Sequence, residues 1–155
     1  MTKKTDQEYK QILSDIQLIE RLLQAMNHSR VDYTNFFRNL GNLNKDAVLT
    51  EIPQRNEFID RENIDQWFTD YINRLKSETL DEQSRKEMMD RINPKYILRN
   101  HLAQAAIEKA QQNDFSEVAT LLQILSKPFD EQVDFESYSK PPPIDLQHIE
   151  VSCSS

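Results

Sequence analysis

The sequence predicts an all-α protein, about six helices in an irregular bundle followed by an extended, proline-containing C-terminal arm. Three observations lead there. Glycine occurs once in 155 residues, at Gly41, which removes the usual material for tight hairpins and phosphate-cradling loops, since both use positive backbone φ. Apolar residues recur at spacings of three and four as far as Leu125, the period of a helix with one buried side. After Pro128 that period stops, and Pro141, Pro142 and Pro143 favour an extended conformation without internal hydrogen bonds. The expected organisation is a helical lobe over residues 1–127 and an extended tail over residues 128–155.

In the first helix, Tyr9, Ile12, Leu13, Ile16, Ile19, Leu22, Leu23 and Met26 form one apolar stripe, with Thr5 or Asp6 as cap and His28 helping to end it. A short second helix follows Asp32 as N-cap and aligns Tyr33, Phe36, Phe37 and Leu40, with Gly41 as a left-handed stop. From Asn42 to Asn56 the period is broken and Pro53 lacks an amide hydrogen, so this stretch reads as a connector. A third helix carries the heaviest apolar load, Ile64, Trp67, Phe68, Tyr71, Ile72 and Leu75.

Thr79 and Glu82 stand at the offset of a capping box for a fourth helix that buries Met88, Met89 and Ile92. Pro94 reads as the start of a fifth, with Ile97, Leu98, Leu102, Ala105 and Ala106 on its packing side. Asp114 and Glu117 frame the start of a sixth, which buries Val118, Leu121, Leu122 and Leu125 and closes at Lys127–Pro128. Along the arm, Ile144, Leu146, Ile149 and Val151 stand as isolated apolar anchors.

Bulk properties exclude several functional classes. With 26 acidic against 19 basic residues, a net charge of -7 and no basic segment, the chain repels phosphate backbones, so neither nucleic acid nor an anionic membrane surface is an expected partner. No stretch has the length of a membrane span, and the start leads into a polar segment rather than an apolar signal core, so the expected location is the cytoplasm. Three scattered histidines (His28, His101, His148) and one cysteine, Cys153, offer neither a disulfide framework nor a metal-ligand spacing.

Each group that suggests chemistry also has a plainer explanation. Cys153 as a nucleophile would need a base, and His148, five residues earlier in extended chain, lies at ~16 Å by a rise of ~3.3 Å per residue. Arg99, Asn100, His101 and Gln104 could make a polar ligand patch, or could bond the backbone carbonyls of a neighbouring loop, which is the usual work of interior polar groups. Asp114 and Glu117 are accounted for by capping, Met88 and Met89 by core filling, and the three prolines by stiffening an arm.

Several phrases taken together resemble a known family. "DYTNFFR" at Asp32–Arg38, "NPKYILRNHLAQAAIEKAQQNDFSE" at Asn93–Glu117, "PPP" at Pro141–Pro143 and the terminal "VSCSS" are similar to the C-terminal part of the selenoprotein O (SelO) family. That resemblance implies a protein-kinase-like, pseudokinase fold in the intact protein, which binds ATP with Mg and transfers AMP to hydroxyl side chains of other proteins. It reaches only the helical region that follows the kinase core. A glycine-rich loop, a catalytic-loop signature and a DFG-like triplet are all missing from these residues, so no catalytic, nucleotide-binding or metal residue carries over.

One position does transfer. Animal members carry selenocysteine, and most bacterial members cysteine, at the third residue from the end, where Cys153 stands. The resemblance implies a redox-regulatory Cys153 that pairs with a cysteine in the kinase core. The expected partners are then that core and the protein substrates of the intact enzyme. The alternative is a free-standing helical interaction module whose Trp67, Phe68 and Tyr71 line an exposed groove, and a third reading is an independent thiol enzyme.

Overall fold

The computed structural model describes residues 5–149. Among them are six α-helices: α1 (Asp6–Ser29), α2 (Tyr33–Leu40), α3 (Arg61–Lys76), α4 (Glu82–Ile92), α5 (Asn100–Gln111) and α6 (Ser116–Leu125), with 3-10 turns at Leu49–Glu51, Pro53–Glu57, Val133–Ser139 and Ile144–Leu146. The all-α expectation is borne out. The chain divides into two units, Met1–Lys86 and Glu87–Ser155, and the division falls inside α4.

In the first unit, local chemistry sets the helix ends. Thr5 and Glu8 close a capping box at α1, the hydroxyl accepting from the Glu8 amide at 3.3 Å and the carboxylate from the Thr5 amide at 2.5 Å. Asp32 caps α2 through the Asn35 amide (2.9 Å) and Asp60 caps α3 through the Asn63 amide (3.0 Å). The end of α1 is a Schellman turn: Arg30 takes a left-handed φ of 54°, its amide donates to Asn27 and the Val31 amide to Met26. Gly41 is not the left-handed stop that its residue type suggests, because its φ is -60°. The 3-10 turns around Pro53 continue the chain in the same hand, so no positive φ is needed there.

The core of this unit is aromatic. Phe36 has no exposed surface and its ring centroid lies 5.5 Å from Phe58, 6.2 Å from Trp67 and 6.4 Å from Phe68. Edge-to-face and tilted arrangements of this kind add to the area term of burial. Leu22 and Met26 of α1, Leu40 of α2, Leu43 and Ile52 of the connector, and Ile64, Ile72 and Leu75 of α3 complete it.

Polar groups tie α1 to α3. The Trp67 indole donates to the Leu18 carbonyl at 2.9 Å, Arg74 holds Asp15 through two nitrogens at 2.8 and 3.2 Å, and Arg21 reaches Asp70 at 2.7 Å. Arg85, 5% exposed, bonds the Gly41 and Leu43 carbonyls and Glu82, while Glu82 also accepts from the Lys45 amide at 3.1 Å. Glu82 is thus spent on the connector and forms no box with Thr79. Asp81 takes the cap instead, accepting from the Ser84 amide at 2.9 Å.

The second unit contains the α5–α6 hairpin and the arm. Here Pro94 does not begin a helix. Residues 94–99 run without helical structure because the Lys95 and Tyr96 amides both donate to the Pro128 carbonyl, at 2.8 and 3.1 Å, a partner more than thirty residues away that holds the segment open. Helix α5 starts only at Asn100. Met88, Ile92, Leu98, Val118 and Leu122, expected in the interior, are exposed; Tyr96, Ala106, Leu121 and Ile124 are the buried apolar residues.

Candidate functional site

Cys153, the one residue expected to carry regulation, lies outside the described residues, as does Val151. What the structure does build is the seat of the arm, assembled from residues 95–104 and 109–117.

Its centre is Tyr96, 1% exposed, whose hydroxyl donates to the Gln132 carbonyl at 2.9 Å. Gln132 in turn donates to the Ile124 and Lys127 carbonyls at 3.1 and 2.9 Å, closing the turn after α6. Beside it the Lys95 ammonium bridges Glu131 and Glu136, each at 2.6 Å. Burial disfavours that charge, but the two carboxylates outweigh it and hold the Lys95 pKa above its ordinary value.

Further along, the Arg99 guanidinium donates to the Ser139 carbonyl at 3.2 Å and the Asn100 amide to the Ile149 carbonyl at 3.0 Å. The explanation by carbonyl satisfaction therefore holds for these two members of the polar patch. Gln104 instead bonds Glu108 one turn on, at 2.9 Å. His101 is half-buried with Nδ1 unpartnered; burial first, then the charge of Arg99, push its pKa down.

The pair Asp114 and Glu117 separates in space and in role. Asp114 accepts from the Ser116 amide at 2.9 Å, so the loop is tied as expected, while the N-cap position itself is Phe115. Glu117 is no cap: it takes Lys109 at 2.9 Å and the Tyr138 hydroxyl at 2.8 Å, and these two hold its pKa below the usual carboxylate range. Tyr138 is thereby a second anchor of the arm, one that hydropathy spacing does not reveal. Ile144, expected to be an anchor, is 88% exposed. The prolines leave the chain extended on either side, with ψ near 148° at Lys140 and 154° at Pro143.

The arrangement holds a segment and offers little for covalent chemistry. Among the described residues no group of three or more His, Cys, Asp or Glu side chains gathers to hold a metal ion, and Gly41 sits in a right-handed turn rather than a phosphate loop. Among the described residues no helix is long and apolar enough to cross a membrane. Trp67 and Phe68, at 3% and 0% exposure, are core residues, and Tyr71 stacks on Trp67 at 5.0 Å, so the exposed groove of the alternative reading does not exist.

Comparison with known proteins agrees with the motifs in residues 32–38 and 93–117. The family described as "Protein adenylyltransferase SelO" matches residues 1–126. The chain belongs to the SelO family. It is 49% identical over 141 residues to a "Protein nucleotidyltransferase YdiU" of Burkholderia multivorans, covering 91% of this chain. Proteins of the same name from Burkholderia ambifaria and Burkholderia lata are 46% and 47% identical over 142 residues, 92% of this chain. In all three the matched stretch is 27% of the relative's length, so this SelO chain spans about a quarter of the curated relatives.

Proposed function

We propose that these residues are the C-terminal helical part of a SelO-type protein adenylyltransferase, a lobe over residues 1–127 and a tail over 128–155 that support a nucleotide-handling core carried on other sequence. The observation that carries this is the match over most of the chain to a stretch that is only 27% of each relative. The residue inventory is in keeping with it, since among the described residues no three or more His, Cys, Asp or Glu side chains gather as a metal site. In this reading the intact protein is a kinase-like pseudokinase fold in the cytoplasm. It binds ATP and Mg on that core and moves AMP to hydroxyl groups of protein substrates. The seat described above then has one task, to lead the terminal segment bearing Cys153 off a fixed surface toward a cysteine of the core. A reversible disulfide there would restrain the tail.

The test is incorporation of labelled AMP into protein. The 155-residue chain alone is expected to give none. A chimera in which it replaces the matched 141 residues of the Burkholderia multivorans relative is expected to give a signal that responds to thiol reductant, with the response lost in Cys153→Ser. Transfer by the chain alone overturns the proposal, and a chimera without transfer does so as well. An unchanged response in Cys153→Ser removes the redox role and leaves the rest.

A further inference from the structure

Helix α1 is apolar over more of its circumference than α3 covers. At about 100° per residue, Leu22 and Met26 point one way and are 3% and 4% exposed, whereas Tyr9, Leu13, Ile16, Ile19 and Leu23 run along the adjoining side. Those five are between 42% and 61% exposed. The row continues past the Schellman turn to Tyr33, 62% exposed, which lies against Phe37 with ring centroids 4.6 Å apart. Beside Tyr33 is a shallow cavity of about 340 Å³ lined by Leu23, Met26, Asn27, Arg30, Val31 and Tyr33. Isolated exposed apolar residues are ordinary, but a continuous row of five on one helix ending in a dimple marks a contact surface.

We infer that this side of α1, with the dimple at Tyr33, is the face on which the rest of the SelO-type protein docks. This rests on the function proposed above. The occupant follows from length: relatives at 46–49% identity devote 27% of their chain to this stretch, so in each of them the other three quarters of the protein accompany it. A surface tethered in the same chain meets α1 at an effective concentration in the millimolar range, well above that of a second copy in solution. The row is also long, three turns and more, which suits an apolar face on a rigid domain better than a short peptide.

Leu13→Glu and Ile16→Glu, made both in the 155-residue chain and in the chimera with the Burkholderia multivorans relative, test the surface directly. Both side chains are exposed here, so the chain alone should melt within about 1 °C of the parent, while the chimera should lose more than about 4 °C. Ile19→Gln should repeat the pattern more weakly, and Ile144→Glu, at an 88% exposed position, should change neither protein. Equal small shifts in both proteins overturn the inference, since the face then stays wet. Sedimentation showing a dimer of the 155-residue chain that Leu13→Glu dissociates also overturns it, because the occupant is then a second copy. Either result can occur while the parent chimera transfers AMP, so loss of this surface is distinguishable from loss of the proposed function. A parent chimera that neither folds nor transfers AMP removes the core, and this inference with it.

Discussion

At the scale of single residues, His101 shows how a half-buried group feeds back on stability. Burial, and then the positive charge of Arg99, hold its pKa below the ordinary value, so the folded state refuses a proton that the unfolded chain accepts near pH 6.5. The contribution is therefore complete above that pH. It falls as the pH drops through it, until the folded state is protonated too. The urea midpoint of the parent should decline between pH 7 and pH 5, and His101→Gln should flatten that decline; identical slopes would show that the imbalance does not exist. Neighbouring residues show why the patch is only half legible in the sequence. That Arg99 and Asn100 would serve carbonyls follows from the general rule for interior polar groups. Which carbonyls, those of Ser139 and Ile149, depends on where the arm is laid down forty and more residues later, and no local spacing encodes it.

At the scale of the element, helix ends divide into those written locally and those set from a distance. Thr5 and Asp32 cap through amides three residues on, so the side chain and its partner lie in one short stretch and can be read directly. Glu82 and Pro94 escape local reading because the Lys45 amide that donates to Glu82, and the Pro128 carbonyl that takes the Lys95 and Tyr96 amides just after Pro94, come from tertiary structure. The end of α1 is a third kind. It has the bonds of a Schellman turn but no glycine, and Arg30 stands at φ 54°, where an L-residue with a Cβ is disfavoured. Arg30→Gly should consequently stabilise the chain by about 0.5–1 kcal/mol, the relief of that conformation set against the extra freedom glycine has when unfolded. In a chain of this size that is roughly 1–4 °C in the melting midpoint. A lower midpoint would mean that the Arg30 side chain, at the edge of the dimple, contributes more than its backbone costs.

At the scale of the whole molecule, buried apolar residues are unevenly shared between the two units. Twelve of the sixteen among the described residues lie before Lys86, gathered around Phe36, while the second unit has Tyr96, Ala106, Leu121 and Ile124. Four side chains, one of them alanine, are little to set against the conformational entropy of ordering a helical hairpin and its flanking segments. The second unit therefore depends on its arm. Gln132 ties the end of α6, Tyr138 bonds Glu117 on α6, and Tyr96 is closed off by the Gln132 carbonyl. Deleting residues 129–155 would strip the Tyr96 hydroxyl and the Lys95 ammonium of these partners while leaving every residue of α5 and α6 in place. Buried polar groups left unmatched cost more than a lost bond between exposed ones. Amides of residues 100–125 should accordingly lose most of their hydrogen-exchange protection in the truncated chain. The milder Tyr96→Phe, which keeps the ring and drops one hydrogen bond, should lose only a small part. Equal protection in the parent and the truncated chain would show that the hairpin stands by itself and that the arm is merely laid upon it.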